Sequence, residues 1–325
     1  MDLVSLLAYF VFPGYAFLIL MAFFLEWLDR KTLAKIQDRY GPLVVGPSGL
    51  LQPLADFIKL LSKEDILPTG ANRGVLTVAP ILMTALPLTA LFFIPMNGHR
   101  ALVCFEGDLI AILFILIVMA LLVFLTGWTS ANTFAAEGAM RSALQMLSYE
   151  IPLALTAICP ALMASSLCIS NIYASQARAG LPFIALVPPF GFLSFVVFLI
   201  CSLAELERVP FDAPEAETEI VAGWMTELTG RRLALIRLGR NLSFLLMASL
   251  MASLYLGDPI TFRVAWLAPL AFVLKVLACA VLMSFVRGIV ARLRIDQTLR
   301  VFWTYMIPLA VGVLLATKLI LTLLG

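Results

Sequence analysis

The chain has 325 residues, 62% of them hydrophobic and 13% charged, with a net charge of +2. Soluble domains carry about 25% charge, so this composition and a mean hydropathy of +1.03 exclude a soluble globular protein. The small net charge implies no bulk electrostatic partner and no nucleic acid.

Apolar runs of roughly 20 residues are long enough to cross a ~30 Å hydrocarbon core as helices. No stretch alternates polar and apolar residues as a membrane β-barrel does. The predicted fold is all-α and polytopic, a single membrane domain over 1–325. It has about eight transmembrane helices, at about 4–26, 75–97, 109–128, 142–168, 181–205, 241–257, 264–286 and 301–323, plus amphipathic cytoplasmic helices. The first run lacks a basic leader and a small-residue cleavage site, so it is predicted to be a retained span. The segments 27–74, 129–141, 206–240 and 287–300 hold seventeen of the twenty-two Lys and Arg residues, whereas the opposite loops hold Arg100, Arg178 and Arg263. That asymmetry predicts a multi-pass protein of the cell membrane with both termini outside.

In the first long segment, Gly41-Pro42 and Gly46-Pro47 read as tight turns. Leu50 to Leu61 then becomes amphipathic. Leu50, Leu51, Leu54, Phe57, Ile58 and Leu61 make one face, with Asp56, Lys59 and Lys63 away from it. Such a helix either lies on the bilayer surface or walls a cavity there. His99, the single histidine, falls in a short loop and is expected to be solvated. The five cysteines are scattered, without C-x-x-C spacing, and predict no metal or iron–sulfur site built from this chain alone.

Glu150 lies about two turns inside the fourth span, where a carboxylate costs on the order of 3 kcal/mol. It is protonated, paired (Arg141 is one candidate) or facing a wet cavity, and Pro152 loosens the helix beside it. Lys275, near the middle of the seventh span, is a candidate partner for a buried acid. Lys318 snorkels.

The segment Leu203 to Gly230 carries Glu205, Glu207, Asp212, Glu215, Glu217, Glu219 and Glu227, seven of the chain's twenty acids. Pro210 and Pro214 break the backbone before a run that can be helical, on which Glu215 and Glu219 share a face and Ile220 and Trp224 form an apolar stripe. The plain reading is a solvated acidic loop. The sharper one is a proton-accepting or ligand-lining segment, because clustered carboxylates raise one another's pKa. The last basic segment, VRGIVARLRIDQTLRVFW, reads either as cytoplasmic basic anchors for two spans or, through Asp296 and Gln297, as a contact to a partner subunit. No nucleotide-binding, zinc-hydrolase or serine-hydrolase motif is present. The chain reads as a non-catalytic scaffold with buried acids that conducts or couples protons.

Four stretches carry a family resemblance: Asp29-Arg30-Lys31 with RYGP and VGPSGLLQPLADFIKLLSKED, then GWTSANTFAAEGAMRSALQMLSYEIP, ERVPFDAPEAETEIVAGWMTE and RLRIDQTLRVFW. In this order they resemble the H-type subunit of bacterial respiratory complex I, also called mitochondrial subunit 1. They also resemble its relatives in energy-converting membrane-bound hydrogenases and archaeal sulfur-reducing complexes. The resemblance implies a membrane subunit that anchors a peripheral arm. Its chamber would lead to an iron–sulfur cluster in a partner, and a row of buried acids would lead on toward antiporter-like membrane subunits. On that resemblance Glu150, Glu205, Asp212, Glu215, Glu217, Glu219 and Glu227 match family acids, and Arg30, Arg39, Arg208, Arg294 and Asp296 match family polar positions.

Four positions depart from the quinone-reducing members: Asp29 stands for Glu, Leu228 for Tyr, Ile295 for Tyr, and Arg240 near a usual Glu. A fixed cation at Arg240 cannot relay protons and is able to neutralise a neighbouring acid. These departures point to the hydrogenase-like branch, whose partners are an iron–sulfur small subunit and a hydrogenase-like large subunit that carries nickel–iron. The alternatives are the quinone-site subunit of an NADH or ferredoxin:quinone oxidoreductase and, from another class, a free-standing secondary transporter. No internal repeat supports the last.

Overall fold

The computed structural model describes residues 10–98, 100–257 and 267–324. The predicted solvated loop position of His99, the outer part of the first span and Arg263 lie outside the described residues. Among those described there is no strand, and six helices are long and apolar enough to cross a membrane. The chain is an all-α polytopic membrane protein.

Helix α1 (Tyr15–Ile36) runs ten residues beyond the expected end of the first span, and a 3-10 turn at Pro47–Gly49 leads into α2 (Gln52–Ser62). In α2 Leu54, Ile58 and Leu61 are exposed together with Lys59 and Ser62, while Pro53 and Leu60 face the protein. Asp56 and Gln52 turn toward α1, so the two readings of this helix hold together: one face is bare and the other is a wall.

Helix α3 (Arg73–Leu91) is started by Asn72, whose side chain accepts from Gly74 N and Val75 N at 3.1 and 3.4 Å. Helix α4 (Asp108–Trp128) packs antiparallel to α5 (Thr133–Ala164). Then come α6 (Ile169–Ala179), the single turn α7 (Phe183–Leu186) and α8 (Phe190–Glu205). The span expected at 181–205 is thus broken, because Pro188 and Pro189 between α7 and α8 offer no backbone N–H. The remaining 16 residues of α8 rise only about 24 Å.

Helix α10 (Gly230–Tyr255), reached after the four-residue α9 (Glu217–Ile220), is the centre of the bundle. From Leu242 to Tyr255 nearly every residue is buried, as an all-round apolar helix requires. It crosses α3 at Gly239, where a Cβ would stand 2.4 Å from Met83 O. Helix α11 (Ala268–Ile289) lies against α1 and α10. The last span comprises α12 (Ile295–Val301), a π-helical stretch at Phe302–Met306 and α13 (Ile307–Leu324), packed mainly on α5. The loops 37–51, 129–132, 206–229 and 290–294 all gather at one end of the bundle, the chamber end.

Candidate functional site

At the chamber end, α1, the loop after it, the acidic loop and the adjoining turns of α10 and α11 enclose a cavity of about 1010 Å³. Its deepest wall is organised by Asp29, which is 4% exposed. Ser284 Oγ donates to Asp29 Oδ1 at 2.6 Å, Arg287 donates to Oδ2 at 2.6 Å, and Arg208 lies 3.1 Å from the same oxygen. Asp29 thereby holds two arginines from elements that hydropathy alone does not connect. A turn away on the same helix, Glu26 accepts from Arg30 and from Asn241 Nδ2. Arg30 also reaches Asp56 at 2.8 Å, and Gln52 donates to the other Asp56 oxygen at 3.0 Å. Burial pushes the Asp56 carboxyl up, but these bonds and the Arg30 charge outweigh it and leave its pKa below the usual value.

The floor of the chamber narrows at Glu207, Arg208 and Arg240. Arg208 stacks over the Phe244 ring at 3.9 Å. Burial pulls its pKa down to about 10, aided by the Arg287 and Arg240 charges and opposed by Asp29, so it stays cationic at neutral pH. Arg240 lies 2.5 Å from Glu215. Burial raises the Glu215 carboxyl to about 7, with Arg240 opposing and Glu207 adding to the rise. Glu207 accepts from Ser142 Oγ at 2.6 Å and from Trp224 Nε1 at 3.0 Å.

The same three residues, Glu207, Arg208 and Arg240, also line a smaller cavity of about 60 Å³ that reaches Tyr149 and Glu205. Tyr149 and Glu205 in turn line a third, of about 40 Å³, that reaches Glu150 between α4 and α5. A series of neighbouring cavities, each divided from the next by side chains that line both, thus leads from the chamber to Glu150. Arg141, one candidate partner of Glu150, is engaged instead with Glu137 at 3.1 Å and Glu219 at 2.5 Å.

The remaining predicted residues lie around this row. Glu215 and Glu219 do not share a face. The acidic run forms only the short helix α9 between 3-10 turns at Ala213–Glu215 and Gly223–Met225, which sends Glu215 inward to Arg240 and Glu219 outward to Arg141. The Arg141 contact holds the Glu219 carboxyl below its usual pKa. Asp212 is gripped by Arg292 through two bonds of 2.7 Å. Glu227 accepts from Asn132, whose side chain also caps α5 at Phe134 N, so one residue starts the helix and pins the loop. Glu217 and Arg39 are exposed at the chamber rim, and Arg294 and Asp296 line a side pocket with Arg141 and Arg292. Lys275 lines none of the cavities that carry the acids; its Nζ donates to Leu256 O at 2.8 Å and sits 5.8 Å from the Tyr173 ring centroid.

Sequence reasoning passed over Glu26, Asp56, Tyr149, Asn241 and Ser284. Only Glu26 left a local signal, the i, i+4 spacing to Arg30 on α1. Arg287 and Arg292, read from the sequence as basic anchors of two spans, both line the chamber.

The loop is seated by backbone fit as well as by charge. Gln145 Nε2 donates to both Ala204 O and Phe211 O at 2.9 Å. Gly223 has φ +54°, and a Cβ there would fall 1.9 Å from Pro214 O. Gly223→Ala is expected to destabilise the protein by about 1–3 kcal/mol or more. The check is a lower Tm together with faster proteolytic cleavage in 206–229; unchanged protection of that loop would show that the close approach is unimportant.

The chain matches the family model described as NADH dehydrogenase over residues 9–318. It is 37% identical over 314 residues to the NADH-quinone oxidoreductase H-type subunit 2 of Syntrophobacter fumaroxidans, covering 93% of this chain and 92% of that one. To the NADH-quinone oxidoreductase H-type subunit 1 of Geobacter metallireducens it is 39% identical over 314 residues, with the same coverage. To the NADH-quinone oxidoreductase H-type subunit of Dehalococcoides mccartyi it is 36% identical over 318 residues, covering 97% and 86%. The order of the four stretches, the chamber and the extent of this similarity agree, and the chain belongs to the NADH dehydrogenase family, that of the H-type membrane subunit of complex I.

Proposed function

We propose that this protein couples electron transfer in a peripheral assembly to ion translocation across the membrane. The chamber would receive the head group of a quinone and the acids would carry the response. The observation that supports this most is the row of adjacent cavities with common lining residues from the chamber past Glu207 and Glu205 to Glu150. A cavity of about 1010 Å³ is at the large end for small-molecule sites. Its rim, where Tyr40 and Val44 are 90% and 91% exposed, offers apolar contact to a partner seated above it. Basic residues concentrate at the chamber end, so that end faces the cytoplasm and the cluster-bearing partner docks there. Antiporter-like subunits would take the charge change onward laterally. Reduction at the chamber changes the local charge, Glu215 changes its protonation beside the fixed cation of Arg240, and Glu205 and Glu150 respond in turn.

The departures from the quinone-reducing pattern are what speaks for a hydrogenase-type complex; the Arg240–Glu215 ion pair is compatible with either branch. The relatives reported above carry quinone oxidoreductase names and lend the hydrogenase reading no support. The test is purification of the native complex with assay of bound quinone, nickel and quinone-analogue inhibition. Bound quinone with inhibition is expected. Stoichiometric nickel without quinone would overturn the quinone reading in favour of the hydrogenase one.

A further inference from the structure

The end of the bundle opposite the chamber is held by a knot that the acid row does not use. Glu106 Oε1 accepts from Ser166 Oγ at 3.1 Å and from Leu167 N at 3.4 Å. Leu109 N donates to Leu167 O at 3.2 Å, Ile169 N donates to Asp108 Oδ1 at 2.8 Å, and Ala101 N donates to Ser170 Oγ at 3.0 Å. Across the same knot Cys104 and Cys168, 64 residues apart, are joined as a disulfide with a Cα–Cα distance of 6.6 Å. Cys104 is exposed and Cys168 buried, whereas the free cysteines Cys159, Cys201 and Cys279 are all buried.

Disulfides persist in oxidising compartments and are rare where cellular thiols are kept reduced. The bonded pair sits at the end of the bundle poor in Lys and Arg, which the charge asymmetry independently places outside. The two segments it joins also lead into the paired helices α4 and α5, between which the crevice at Glu150 lies. That crevice is walled by Leu113 and Leu116 on one side and Met146 and Leu153 on the other. Leu113 is five residues from the start of α4, about 7–8 Å below the knot.

We propose that Cys104–Cys168 is an outer-face disulfide, introduced by an oxidised dithiol oxidoreductase, that locks the outer ends of α4 and α5 shut over the Glu150 crevice. The exposed Cys104 thiolate attacks the donor's disulfide and releases one donor thiol. The Cys168 thiolate then displaces the second, forming the Cys104–Cys168 bond. The two protein thiols lose two electrons and two protons, and the donor's disulfide gains them. The sealing role rests on the reading of Glu150 as a coupling acid; the bond and its sidedness do not.

Native membranes alkylated without reductant, then digested and weighed, test the bond. The Cys104 and Cys168 peptides are expected joined and unalkylated. Alkylation of both without reduction overturns the proposal, as does stoichiometric zinc held by these two sulfurs and Asp108, the ligand set that the same residues would otherwise form. A membrane-impermeant reductant should open the bond in right-side-out vesicles and not in inverted ones; the reverse overturns the sidedness. Finally, an imposed pH gradient, followed with no electron donor present, should decay faster after that reductant and in the C104S/C168S variant. An unchanged leak in both removes the sealing role even if Glu150 proves essential to pumping.

Discussion

Asp29→Ala is expected to destabilise the protein by about 3–5 kcal/mol, the usual cost of removing one partner from a buried charge cluster. The substitution strands Arg208, whose side chain is 11% exposed, and frees Arg287, which at 29% exposed recovers part of its loss in water. Arg208 also loses the anion that fixes it over Phe244. Asp29→Asn keeps a group that Ser284 can still donate to, so it should retain the fold better while lowering ligand affinity in the chamber. The measurement is Tm and complex assembly for the two variants side by side. Equal, wild-type behaviour of both would mean that the cluster is not what holds the chamber wall.

Glu150→Gln is expected to lower ion translocation by about a hundredfold or more, within the range that a positioned proton-transfer group contributes. Assembly should be unaffected, because the side chain is partly exposed to a small cavity and glutamine fills the same volume. Glu150→Asp retains a titratable group and should recover part of the rate, which a purely structural role would not reproduce. Translocation is read as gradient formation in vesicles against assembled complex. Full transport by Glu150→Gln would take this acid out of the path and leave Glu205 as the end of the row.

The acids of 203–230 and the intramembrane Glu150 were visible in the sequence because a carboxylate in an apolar run stands out by composition alone. Their partners were not visible. Glu215 and Glu219 were expected on one face because a helix was expected. The left-handed Gly223, the 3-10 turns and the prolines cut that helix to one turn, and four residues then separate an inward side chain from an outward one. Arg141 looked like a partner for Glu150 because both lie on α5, yet nine residues along a helix is two and a half turns, the opposite face. Cys104 and Cys168 gave no signal, since a 64-residue spacing becomes proximity only when α4 and α5 run antiparallel.

Hydropathy and helical period are local quantities, so the sequence by itself determined the membrane class, the helical fold, the turns at the Gly-Pro pairs, and the concentration of acid in one segment, whereas the break at Pro188-Pro189 emerged only in the structure. Charge pairing is decided across helices, where residues tens or hundreds of positions apart share a few ångströms. Only the tertiary structure brought Asp29 to Arg208 and Arg287, set Arg240 against Glu215, and ranged adjacent cavities with common lining residues between the chamber and Glu150.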